Sequence, residues 1–320
     1  MIASKHVRAA ILARARYYFL ASSLIQRRFS APWRVLPDVF ILGATKSGST
    51  TLTHMLWQHP AHVSPFTKEL MYLQHLPNFR SNWEFSRLSA YLWGRYREGH
   101  AKYCVSGYRK FFPTRWAMQR RRQRVGAAMT SDCDPFNLYC EIATRRIAAL
   151  CRDARFIVCL RNPVLRAFSD FNMHHTFVGE QRTFAEAIDA ELSGRESRFR
   201  QCFLHQSVYV PHLERWFAAF PRERFFVVRA EDLFSDSAAV ARQMFSFLGL
   251  EPVTVDCTAQ NRGTYSGEID CANENRLRDY FRPFNMRLYE LLDRDMGWEA
   301  MSCSPVHQPL ASLQPATFRG

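Results

Sequence analysis

The stretch from Pro37 to Pro60, PDVFILGATKSGSTTLTHMLWQHP, constrains the fold more than any other. Val39–Leu42 is a short apolar run of the kind that forms a buried strand. Gly43–Ser49 is small and polar and holds two glycines. From Thr50 to Gln58 a helical pattern resumes, with Leu52, Met55 and Leu56 on one face. A strand, a glycine-bearing loop and a helix start form a cradle for phosphate-like anions, because helix-terminal N–H groups and the helix dipole both favour negative charge. Thr45, Lys46, Ser47, Gly48, Ser49, Thr50 and Thr51 are the candidate contacts: backbone amides, hydroxyl donors and one full positive charge. The spacing is not that of a Walker A loop, where the lysine follows the second glycine; here Lys46 precedes Gly48.

A second stretch, RFIVCLRNPVLRAFSD at 155–170, repeats the logic. A strand runs into Arg161, and Asn162-Pro163 opens a helix, with proline where its missing N–H does no harm. Arg161 at the strand end and Ser169 two turns into the helix can serve one anion, the first through a guanidinium fork and the second through a hydroxyl. In open α/β sheets, ligands bind at the carboxyl ends of strands. Two cationic sites of this kind suggest a nucleotide with phosphates at two ends. A kinase strand would instead close on a magnesium-binding aspartate.

These two motifs resemble the 5′-phosphosulfate loop and the 3′-phosphate motif of the sulfotransferases, whose donor is phosphoadenosine phosphosulfate (PAPS). KELMY at 68–72 is similar to a Lys-Glu-x-His-type motif of the Golgi carbohydrate sulfotransferases, and DPFNLY at 134–139 resembles their short Ser-Pro-containing motif. LRDYFRPFNMRLYELL at 277–292 resembles the C-terminal helix of N-acetylgalactosamine 4-sulfate 6-O-sulfotransferase. The resemblance spans residues 37 to 298. It implies a catalytic pair, Lys46 on the donor and Glu69 as the base that takes the acceptor's hydroxyl proton. It also implies that Arg262 and Gly263, in the late loop NRGTY, close over the nucleotide. One departure is plain: the family histidine is Met71 here. Cys257 and Cys271 bracket a loop around which related heparan enzymes carry a disulfide, so the resemblance raises a bridge between them as one option; Cys140, Cys151 and Cys159 read as buried thiols.

Composition bounds the rest. A chain of 320 residues, 47% hydrophobic, buries a full core as one large α/β domain. The formal net charge of +14 suits anionic partners. Nucleic acid is disfavoured, since no nucleic-acid fold accompanies the charge. Residues 1–36 read as a basic leader, and the sequence after 299 as a disordered tail rich in Ser, Pro and Gln. Tyr17–Ile25 falls far short of the ~20 residues of a membrane span. A transit peptide, an amphipathic helix with membrane affinity, and a solvated leader all fit. The resemblance implies the Golgi lumen or membrane. Residues 79–124 are aromatic and basic, and their arginines and rings are candidates to line an acceptor groove.

The sequence thus predicts a single P-loop-like α/β domain, residues 37–299, with a central, mainly parallel sheet flanked by helices. Its function is transfer of a sulfuryl group from PAPS to a hydroxyl of an anionic, glycosaminoglycan-like carbohydrate, with no metal in the scheme. The alternatives are a P-loop-type kinase of a small molecule and a non-catalytic binder of sulfated glycan. Along the chain it predicts strands at 156–160 and 224–228 and helices at 137–151, 183–192, 207–220, 238–248 and 274–294.

Overall fold

The computed structural model describes residues 23–74, 104–195, 202–258 and 269–299, except Ile25 and Val178. Arg262, Gly263 and much of the aromatic segment 79–124 lie outside these residues.

Four parallel strands form the sheet: β1 (Val39–Gly43), β2 (Ser131–Cys133), β3 (Arg155–Leu160) and β4 (Phe225–Arg229), in the order β2-β1-β3-β4. The helices are α1 (Ser49–Gln58), α2 (Val105–Arg109), α3 (Arg115–Val125), α4 (Glu141–Leu150), α5 (Pro163–Phe177), α6 (Phe184–Leu192), α7 (Val210–Ala219), α8 (Ala230–Ser235), α9 (Ser237–Phe247) and α10 (Cys271–Leu292).

Successive strand residues alternate between faces, so one sheet feeds two cores. Val39 and Ile41 of β1, with Ile157 and Cys159 of β3, pack against Leu52, Met55 and Leu56 of α1 and Val240, Met244 and Phe245 of α9. Phe40 and Leu42, with Phe156, Val158 and Leu160, face the other way, onto α4, α5, α7 and α10. Phe156 centres that larger core, with its ring 4.5 Å from Phe220 and 4.8 Å from Phe225.

This alternation sets the site. After β1 the chain leaves to the α1 face, and after the adjacent β3 it leaves to the α5 face. Connections that part in opposite directions open a crevice at the strand ends, where ligands of doubly wound sheets bind.

Several boundaries moved. The helix expected over 137–151 begins at Glu141, because the Asp134 side chain caps a separate 3₁₀ turn, Pro135–Tyr139. Pro211, in the first turn of α7, starts that helix at Val210 rather than Ser207. The Thr183–Glu186 capping box is formed as predicted. Strand β2 was not foreseen: three residues, Ser-Asp-Cys, carry no apolar alternation. A Cys257–Cys271 bridge is ruled out, since Cys257 is a free thiol while Cys271 is disulfide-bonded elsewhere.

One buried cation ties the layers together. Arg166, fully buried on α5, donates to Ser207 Oγ (2.6 Å), Thr45 Oγ1 (2.9 Å), Asp170 Oδ2 (3.2 Å) and Phe203 O (2.5 Å). Truncating one member of a buried ion pair leaves the other uncompensated. Arg166→Met is expected to lower unfolding free energy by about 3–5 kcal/mol in urea titrations; a loss below about 1 kcal/mol would show that the cluster is not holding the fold.

Candidate functional site

The donor loop is shaped by backbone. Lys46 sits at φ +61 and Gly48 at φ +97, so consecutive turns point peptide N–H groups inward, as anion-binding nests do. At Gly48 a Cβ would lie 2.7 Å from Leu233 Cδ2, so glycine is required there for space as well as conformation. Leu52 is the first amide of the α1 ladder, donating to Gly48 O at 3.1 Å. The turn ahead of it, Ser49–Thr51, is therefore the helix N-terminus offered to an anion.

The predicted loop residues divide into two groups. Thr45 and Ser47 face the protein. Thr45 is held through its amide and hydroxyl by Tyr139 Oη (both 3.2 Å) and through its hydroxyl by Arg166. Ser47 is fully buried, with its carbonyl accepting Cys159 Sγ–H at 2.8 Å. Lys46, Gly48, Ser49 and Thr50 are partly exposed, and Thr51 is buried on α1.

The second motif meets the first across the crevice. Arg161, one residue beyond β3, donates from Nη1 to Lys46 O at 3.2 Å. Its guanidinium lies 6.0 Å from the Phe234 ring, and Tyr209 Oη donates to its carbonyl at 2.8 Å. Ser169 lies on the second turn of α5 and is nearly buried. The α5 N-terminus is capped by Asn162 Oδ1, which accepts from Val164 N at 3.0 Å and Leu165 N at 3.3 Å.

Glu69 arrives from a third direction. Its amide donates to Cys133 O, the last carbonyl of β2, at 2.9 Å. Glu69 and Met71 both hold left-handed backbone, φ +55 and +50, which is costly without glycine and survives only where surroundings dictate it. Here they do: Asp134 Oδ2 accepts Met71 N–H at 2.6 Å while its Oδ1 accepts Phe136 N–H at 3.1 Å. Lys68 Nζ then donates to Glu69 Oε1 and to Thr50 Oγ1, both at 2.9 Å. The lysine thus joins the carboxylate to the first turn of α1, and with the Arg161–Lys46 contact it gathers Lys46, Thr50, Glu69 and Arg161 at one end of the sheet.

Behind Glu69 lies a buried acidic pair. Burial raises the Asp132 carboxyl to about 7, helped by the charge of Asp134, while a hydrogen bond from Tyr108 Oη (2.5 Å) opposes the shift. Burial and the charge of Glu69 raise Asp134 to about 6. Arg166, Tyr139, Lys68 and Asp134 were not singled out as site residues by sequence reasoning, although Lys68 lies in the KELMY motif and Asp134 and Tyr139 bound the DPFNLY motif; for Arg166 the available signal is its i, i+4 spacing to Asp170.

The acceptor-groove expectation fails in part. Tyr108 is fully buried in the core. Arg121 of the arginine cluster reaches Pro60 O at 2.6 Å, beyond the far end of α1 from the donor loop.

The comparisons agree with this architecture. Residues 37–254 match the model of the sulfotransferase family, which covers more than half of the chain: the chain belongs to that family. Human heparan sulfate glucosamine 3-O-sulfotransferase 3B1 is 25% identical over 288 residues, spanning 82% of this chain and 65% of that protein. Human heparan sulfate glucosamine 3-O-sulfotransferase 6 is 26% identical over 304 residues, spanning 87% of this chain and 76% of that protein. The chain therefore spans just under two thirds of the first relative's length. A sulfotransferase from Alicyclobacillus acidocaldarius has the same fold, with a TM-score of 0.64 at 23% identity, over 83% of this chain and all of that one.

The acidic pair makes a pH prediction. Both folded-state values lie above the ordinary carboxylate range near 4, so the native state binds more protons than the unfolded chain between about pH 4 and 7. Stability from these groups is complete below about pH 4 and is lost as pH rises through 6 to 7. Asp132→Asn is expected to flatten the fall in urea midpoint between pH 5 and 7.5; an unchanged slope would contradict the assignment.

Proposed function

We propose that the protein transfers a sulfuryl group from PAPS to a hydroxyl of a sulfated, glycosaminoglycan-like carbohydrate. The observation that carries this reading is the position of Glu69: Lys68 holds its carboxylate to Thr50, on the first turn of the helix that follows the donor loop. A passive anion site has no need for a carboxylate at that place, and a P-loop kinase would carry its lysine after the second glycine, where here Lys46 precedes Gly48. The heparan sulfate relatives support a glucosamine-containing acceptor over the galactosamine glycan suggested by the C-terminal helix. A Golgi compartment, as the resemblance implies, belongs to the same reading.

PAPS supplies the sulfuryl group and departs as phosphoadenosine phosphate. Lys46 and the amides of Ser47–Thr51 hold its 5′ oxygens, so charge that builds on the leaving phosphate meets donors already in place. Arg161 binds the 3′-phosphate through its fork, with Ser169 as second donor and Arg262 and Gly263 closing from the late loop. Glu69 accepts the acceptor's hydroxyl proton as the oxygen attacks sulfur. Lys68 keeps that carboxylate oriented, and its stem spans the gap between base and donor helix. With Met71 in the family histidine's place, Glu69 is the only proton acceptor this scheme uses.

Glu69→Gln is expected to lower kcat by about 10²–10⁴ on a heparan-like oligosaccharide with little change in nucleotide affinity. Unaltered turnover in this variant would remove Glu69 as the base.

A further inference from the structure

Segment 23–36 packs on segment 104–116 outside the β2 edge. Arg27 donates from Nε to Lys110 O at 2.8 Å and from Nη2 to Phe111 O and Phe112 O, both at 3.3 Å. Arg34 forms an antiparallel bridge with Thr114, and its Nη1 donates to Phe112 O at 2.6 Å. Together these contacts seat a short helical turn and a 3₁₀ turn against the start of α3.

The outer face they build has an unusual composition. Phe29, Trp116 and Trp33 are 77%, 67% and 64% exposed, the three most exposed large hydrophobic side chains among the described residues. Trp33 precedes Arg34 and Trp116 follows Thr114, so the antiparallel Arg34–Thr114 bridge brings both to one end, and Phe29 precedes Trp33 by about one helical turn. Around them, residues 23–36 and 104–126 hold ten arginines and lysines and no aspartate or glutamate. On α3, Arg115, Arg120, Arg122 and Arg124 are exposed, with the Arg120 guanidinium 5.4 Å from the Trp116 ring, while Met118 anchors the opposite side in the core.

Solvated charge alone needs no aromatic rings, and rings left in water cost free energy in proportion to their exposed area. Exposed Trp and Phe within a field of cations match the water–lipid boundary, where aromatic rings sit at headgroup depth and basic side chains meet anionic headgroups. We propose that this face is a peripheral docking surface for an anionic phospholipid bilayer. Lipid is favoured over a polyanionic glycan because a glycan would be held by the arginines, leaving Phe29 without a role. Arg121 of α3 reaches Pro60, past the end of α1, a helix about 15 Å long that starts at the donor loop, so docking here leaves the loop open to solution. The proposal is independent of the sulfotransfer reading.

The test uses the full chain and two vesicle types, phosphatidylcholine alone and phosphatidylcholine with phosphatidylserine, read by co-sedimentation. The wild type is expected to bind the anionic vesicles, to bind the neutral ones far less, and to weaken as salt rises. The triple variant Phe29→Ser, Trp33→Ser, Trp116→Ser keeps every charge. It is expected to lose about tenfold or more in partitioning, with the urea unfolding midpoint unchanged as the control for folding. Full retention by this variant would overturn the proposal in favour of charge or the leader alone. A triple variant that loses heparin affinity but keeps its vesicle binding would overturn it in favour of a glycan surface.

Discussion

The buried guanidinium of Arg166 is the constraint on which the rest of the site depends. A cation removed from water is tolerable only when its donors are satisfied and a counter-charge lies close. Arg166 meets both demands with Asp170, Ser207, Phe203 O and Thr45. Through Thr45 it grips the donor loop from beneath, and Tyr139 grips the same residue from the other side. The loop is therefore fixed from behind by buried side chains, and Lys46 and Gly48 can hold the left-handed turns that aim peptide groups at an anion.

Charge is arranged in two zones. The crevice between β1 and β3 is cationic, with Lys46, Lys68 and Arg161 at its rim. Beneath it, Asp132 and Asp134 are buried, and burial favours their protonated forms. Burial disfavours negative charge at this place, so the pair weakens the positive field of the crevice less than exposed carboxylates would, and Asp134 orders the backbone that carries Glu69. The exposed arginines of α3 belong to neither zone; they face outward around Trp116.

What was legible in the sequence was local. The first strand and loop, the second strand running into Arg161 and the Thr183 capping box follow from spacing within a dozen residues, and each stands where expected. Strand β2 was hidden because two of its three buried residues are polar, and the hydrogen bond that helps to hold Asp132, from Tyr108 to its Oδ2, comes from a helix that precedes the strand in the chain. The geometry of Glu69 was hidden for a similar reason: its backbone is set by Cys133 and Asp134, more than sixty residues away in the chain. Arg121 of α3 was misplaced because a run of cations looks the same in sequence wherever it lies. Arg262 and Gly263 fall outside the described residues and stay as proposals.

The central claim is that the crevice takes a nucleotide with phosphates at two ends. Calorimetric titration of phosphoadenosine phosphate, against ATP and ADP and without magnesium, tests it most directly. The account predicts tight binding that depends on the 3′-phosphate and falls at least about tenfold in Arg161→Ala, the cost of one charge-assisted fork. No binding, or a preference for ATP that appears only with magnesium, would contradict it.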